Sequence, residues 1–107
     1  MLNSFSFSSQ SRAESMAEKL NIRAFLHIFV ESSKLESVSK EITKLPETVD
    51  VYEVTGEFDI IAIVATQSIE EFRDFLKNKI LKIPGVKSTV TSIVLHTYKR
   101  DGVETGE

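Results

Sequence analysis

Residues 49–66 read VDVYEVTGEFDIIAIVAT, two apolar runs separated by a short polar turn, Thr55-Gly56-Glu57-Phe58-Asp59. The first run, residues 49–54, is rich in β-branched side chains, which suits a strand. The second, residues 60–66, is apolar at nearly every position instead of every second one. Such a strand is expected to lie centrally, with cover on both faces. Gly56 supplies the backbone freedom that a tight hairpin needs. The turn also gathers polar groups at a strand mouth, where ligand sites often sit on a rigid scaffold.

On the N-terminal side, residues 22–31 (IRAFLHIFVE) form another strand that is apolar on both faces: Ala24, Leu26, Ile28 and Val30 on one, Phe25, His27 and Phe29 on the other. Ser33-Lys34-Leu35-Glu36 matches the S-x-x-E capping box at a helix start. Leu35, Val38, Ile42 and Leu45 follow at helical spacing, and Pro46 ends the helix. On the C-terminal side the same order recurs. Ser68-Ile69-Glu70-Glu71 is a second capping box, Ile69, Phe72, Leu76 and Ile80 share one helical face, and Phe75 widens that stripe. Pro84-Gly85 closes the segment and residues 86–99 make the last strand.

Strand–helix–strand written twice is the split βαβ pattern. The expected fold is therefore α+β and ferredoxin-like (βαββαβ), a four-stranded antiparallel sheet with two helices on one face. Two helices cover one face only, yet two strands are apolar on both. Phe25, His27, Phe29, Ile61 and Ile63 are the residues expected at an interface. A second copy packed about a two-fold axis, sheet to sheet, would cover them and make a dimeric α+β barrel.

The chain has 107 residues, which suits a single core. Residues 1–21 are Ser-rich and read as a flexible tail, with a short helical stretch possible over residues 14–20 and Met16 as an alternative start. Residues 22–99 form the patterned domain, and residues 100–107 read as a polar, frayed tail. No run is long and apolar enough to span a bilayer, and no secretory signal is visible. The chain lacks cysteine, which excludes disulfides and thiolate metal sites. A cytoplasmic location is expected. The net charge of −3, with no Lys/Arg cluster, argues against direct nucleic-acid binding.

Two segments carry a family resemblance. The hairpin V-Y-E-V-T-G-E-F-D of residues 51–59 resembles the "v-T-G-x-Y/F-D" segment of the effector-binding (RAM) domain of Lrp/AsnC regulators. The run I-P-G-V-K-S-T-V-T-S-I-V-L of residues 83–95 resembles that family's "i-P-G-V-x-x-T-x-T-x-x-V-L". The resemblance covers about residues 23–99 and, unlike full-length members, the chain shows no helix-turn-helix domain, so it looks like a stand-alone form. It implies sheet-to-sheet dimers that assemble further into tetramers, octamers or decamers. It also implies a free amino acid as effector, bound where dimers meet; a full-length Lrp/AsnC regulator is then a candidate partner for co-assembly through the same surfaces. Carried over by position, it points to Thr55, Gly56, Glu57, Phe58, Asp59, Thr89 and Thr91 as ligand-binding residues.

The chemistry of those residues suits a zwitterion. Amides around Gly56 and Glu57 form a small anion-binding concavity, and the Thr89 and Thr91 hydroxyls, two apart on one strand face, add hydrogen bonds. Asp59, or Glu57, accepts from an ammonium by a charge-assisted bond, and Phe58 serves as wall or interface. Each has a plainer reading as well. Gly56 is needed for the turn in any case, Asp59 can bond turn amides, and Thr89 and Thr91 are ordinary strand residues. His27 and His96 fall on strands expected to be neighbours, but spacing supplies no third ligand, so neither a metal nor another cofactor is expected. The rival class is an enzyme, such as the cofactor-independent monooxygenases and haem proteins that share the dimeric barrel; it needs inward polar groups that this pattern lacks. A purely structural oligomer is the third reading.

Overall fold

The computed structural model describes residues 22–105. The Ser-rich segment 1–21, with the helix expected over residues 14–20, and the last two residues lie outside the described part. Strand β1 (Ile22–Val30) leads through a single 3-10 turn, Ser32–Lys34, into helix α1 (Leu35–Thr43). Strands β2 (Thr48–Glu53) and β3 (Ile60–Thr66) form the hairpin. Helix α2 (Ile69–Phe75) continues as a wider π-type turn over Leu76–Ile80, marked by the bond from Leu81 N to Leu76 O at 2.9 Å. Strand β4 (Val86–Ile93) follows, then a two-stranded hairpin of β5 (Lys99–Arg100) and β6 (Val103–Glu104).

The four long strands are antiparallel in the order β2-β3-β1-β4. This is the ferredoxin-like α+β arrangement, and the doubly apolar strands β1 and β3 occupy its centre. One face is closed. Leu26 and Ile28 of β1 and Ile60 and Val64 of β3 are completely buried against Val38 and Ile42 of α1 and Phe72, Phe75 and Ile80 of α2. Each such side chain contributes about 1.5–3 kcal/mol by leaving water. Ile69, expected on the buried stripe of the second helix, is 47% exposed. It sits in the first helical turn, before the helix comes down on the sheet.

The two capping boxes behave differently. Ser68 accepts a bond from Glu71 N at 3.1 Å, and Glu71 Oε1 accepts from the amide of Gln67 at 3.3 Å, one residue beyond the expected Ser68 amide. Ser33 caps nothing, because it lies inside the 3-10 turn and α1 starts from Lys34 with no side-chain cap. That turn is tied down by the bond from Glu31 N to Gly85 O at 2.9 Å, so the chain enters α1 one step late.

The last strand also ends early. It stops at Ile93 instead of Lys99, since β1 offers no partner beyond the Ala24–Ile93 pair except the Arg23 carbonyl, which takes Val94 N at 2.8 Å. Within the expected polar tail, Arg100 pairs with Val103 across an Asp101-Gly102 turn, both at positive φ. That is the geometry an Asp-Gly hairpin turn favours.

Candidate functional site

The β2–β3 turn is built around Asp59. Its carbonyl takes Val54 N at 2.9 Å and its amide donates to Ile28 O at 3.1 Å. Its carboxylate Oδ2 accepts from Val30 N at 2.9 Å. The β1–β3 ladder ends at the Ile28–Ile60 pair, so the Val30 amide points past the last backbone carbonyl. Asp59 stands in for that carbonyl and satisfies a donor that would otherwise be orphaned. One carboxylate oxygen is thereby committed to the fold. The other has no partner among the described residues and retains acceptor capacity.

Above this anchor the turn is open. Thr55, Gly56 and Glu57 are exposed or nearly so, and Gly56 adopts φ 124°, a conformation that L side chains rarely enter. A Cβ at Gly56 would meet nothing within 4 Å, so its neighbourhood is free space. Phe58 points the other way. Its ring centroid lies 4.5 Å from that of Phe29 and 5.1 Å from that of His27, both tilted contacts. Phe58 thus belongs to the sheet face that the helices leave uncovered.

That open face reads across the strands in rows. Tyr52, Ile61, His27 and Val90 are in register, and Asp50, Ile63, Phe25 and Ser92 form the next row. The five residues expected at an interface therefore share one face, with Phe25 still 40% exposed. Tyr52 and Val90, each about half exposed, extend the patch. Sequence reading passed over both because they lie on edge strands, where apolar alternation is weaker.

Thr89 and Thr91 are elsewhere. They pair with Ile28 and Leu26, so their side chains lie on the helix side of the sheet, opposite the Phe58 ring. Strand β1 separates β4 from the hairpin, which places Thr89 about two strand spacings, or ~10 Å, from the turn. Within one chain the turn and the two threonines do not make a single pocket. Neither hydroxyl has a partner among the described residues.

His27 and His96 are not neighbours either. His96 lies beyond the end of β4, and its ring packs edge-on to Tyr98 at 4.5 Å. Among the described residues no group of three or more His, Cys, Asp or Glu could hold a metal ion. No helix among them is long and apolar enough to cross a membrane.

Arg23 is a residue that sequence reading did not single out. It sits two residues from Phe25 on the same side of β1, half-buried at the far end of the open face from the turn. Burial, and then the nearby Arg100, lower its pKa; Asp50 and Asp101 act in the opposite sense. A single Arg at a strand start resembles a solvated strand end, so only the fold reveals its company.

Comparison with known proteins agrees with this geometry. The family model described as the Lrp/AsnC ligand binding domain matches residues 23–104. The HTH-type transcriptional regulator FL11 of Pyrococcus horikoshii is 42% identical over 76 residues, covering 71% of this chain and 50% of that protein. The chain thus spans about half the length of such relatives, which are named as transcriptional regulators and not as enzymes. Among solved structures, TTHA0845 from Thermus thermophilus superposes with a TM-score of 0.70 at 33% identity, over 74% of this chain and 99% of that one. The transcriptional regulator NMB0573 of Neisseria meningitidis, solved as an L-Met complex, shares the fold with a TM-score of 0.75 at 23% identity, over 96% of this chain and 62% of that one. Since the matched span takes in both helices and the whole sheet but for Ile22, the chain belongs to the Lrp/AsnC ligand-binding domain family.

Proposed function

We propose that this chain is a non-catalytic sensor of a free amino acid, which reports effector binding through its state of assembly. The observation that carries this reading is the match of residues 23–104 to a ligand-binding domain. The L-Met complex of the Neisseria regulator supports an amino acid as the effector class. In this reading the carboxylate of the effector meets the free amides of the Gly56–Glu57 turn, and its ammonium meets the uncommitted oxygen of Asp59 or the carboxylate of Glu57. Thr89 and Thr91 contribute from a different copy, since one chain keeps them two strands from the turn. The site is then completed only where dimers meet.

A second copy covers the open face, because Phe25, Phe29, Ile61 and Ile63 otherwise remain in water. Phe58 gives the coupling a physical route. It belongs to the effector turn, yet its ring rests on Phe29 and His27 of the dimer face. An effector that binds one assembly more tightly than another shifts their populations by that difference alone. A full-length Lrp/AsnC regulator carries the same kind of domain and offers the same surface for co-assembly. Any action on DNA would then pass through such a partner, in the cytoplasm.

The test is a thermal-shift panel of the natural amino acids on protein whose mass is fixed by light scattering. Saturable stabilisation by one or two of them is expected, by about 2.7 kcal/mol at a hundredfold excess over Kd. It should weaken with Glu57→Ala and with Thr91→Ala. Absence of any shift from all twenty, on a confirmed dimer of dimers, would sink the sensor reading and leave the structural oligomer.

A further inference from the structure

Residues 94–105 form an arm that has order without a core. Val94 fastens it to the Arg23 carbonyl, the β5–β6 hairpin closes on its Asp101-Gly102 turn, and Thr105 N donates to Tyr98 O at 3.1 Å. The Thr105 hydroxyl also donates to the carbonyl of Thr97. Yet Leu95 is 95% exposed, Tyr98 80% and Val103 65%. Two-residue strands are marginal in water by themselves, and these three side chains stay mostly in water, Tyr98 leaning on the His96 ring within the arm itself.

Charge tells the same story at the root of the arm. Arg23 feels Arg100 as a like charge, with Asp50 and Asp101 near enough to act on it. None of the four makes a salt bridge; the ion pairs among the described residues are Lys40–Glu36, Lys44–Glu41 and Lys79–Glu47. Arg23 and Asp50 lie at this end of the open face, Arg100 and Asp101 of the arm act on Arg23 through space, and none of the four belongs to those ion pairs.

We propose that this arm is a clasp that closes on a second copy of the chain. Leu95, Tyr98 and Val103 pack on the partner, Arg100 meets the partner's Asp50 and Arg23 meets the partner's Asp101. The occupant is a second copy for two reasons. First, a corner carrying both signs is self-complementary about a two-fold axis, where each contact is made twice. Second, the arm starts at the margin of the open face, so whatever covers Phe25 reaches it. A four-stranded face seven residues long has a flat footprint of roughly 19 by 23 Å, or ~440 Å². Stable interfaces bury about 800 Å² of accessible surface per partner. Contact from the arm adds to what the face supplies. The clasp rests on the reading that a second copy covers the open face.

Both can be tested together by measuring the dimer dissociation constant by analytical ultracentrifugation. The double variant Leu95→Glu, Tyr98→Ala should weaken the dimer at least tenfold while the circular dichroism of the chain is unchanged. Arg100→Glu should weaken it similarly, and an equimolar mixture of Arg100→Glu with Asp50→Arg chains should recover tighter binding than either alone. Because the chain has no native cysteine, Tyr98→Cys supplies a unique thiol, and a bismaleimide should link it across the dimer. An unchanged dissociation constant in Leu95→Glu, Tyr98→Ala, with Phe25→Glu still dissociating the dimer, overturns the clasp and spares the open-face interface. A wild-type chain that stays monomeric at high concentration overturns both.

Discussion

Two glycine turns carry the two motifs of this domain, and they are built for opposite purposes. Gly56, in Thr55–Asp59, and Gly85, in the Pro84-Gly85-Val86 run, both sit at positive φ, 124° and 106°. A Cβ at Gly56 would enter open space. At Gly85 it would lie 2.6 Å from Lys34 Cβ and 3.0 Å from Val38 Cγ2. The Lys34 Cβ is attached directly to the backbone and cannot swing aside. The Pro-Gly-Val segment is therefore a packing device, which lets α1 close on the β4 entry while the Gly85 carbonyl receives Glu31 N. At Gly56 the hairpin turn is conformationally special but sterically free. Two glycines of equal standing in sequence thus divide into one whose missing side chain the packing needs and one that only the turn's backbone needs.

That contrast can be pressed hard by substitution. Gly85→Ala combines backbone strain with a clash and is expected to cost about 3–5 kcal/mol, read as a fall in the denaturant midpoint. Asp59→Ala leaves the Val30 amide unsatisfied and should cost about 1–3 kcal/mol; Asp59→Asn, which keeps an acceptor, should recover most of it. Gly56→Ala meets only the backbone penalty and should cost about 1–2 kcal/mol. If the two glycine substitutions prove equally damaging, the division between packing turn and open turn is wrong. Smallest is the pair of caps: Ser68→Ala should lose about 1 kcal/mol, whereas Ser33→Ala should stay within about 0.5 kcal/mol of wild type.

The caps also mark where sequence reading stops. Both S-x-x-E patterns satisfy the same local rule, yet only Ser68 caps its helix, because a cap requires the chain to arrive extended. Ser68 does so, at φ −150° and ψ 165°. Ser33 is drawn into a 3-10 turn by a bond that Glu31 makes with Gly85, at the far end of the chain's second helical unit. Asp59 shows a similar limit. Turn chemistry explains an Asp at that position, but its actual partner is an amide on another strand that local sequence does not specify. Thr89 and Thr91 share one face, as their spacing requires. Which face, and how far from the turn, follows from the strand order.

Periodicity and the pattern of apolar residues alone determined that this protein has two strand–helix–strand units, that β1 and β3 are central, and that a sheet face is left apolar. These follow from short-range rules of side-chain direction and from the cost of apolar surface in water. Only the tertiary structure decided that Phe58 rests on that face, that Asp59 serves Val30, that the threonines lie on the other side, and that the arm after Ile93 stands away from the core. Each depends on which strands become neighbours and where their ladders end, and such long-range pairings leave no local trace in the chain.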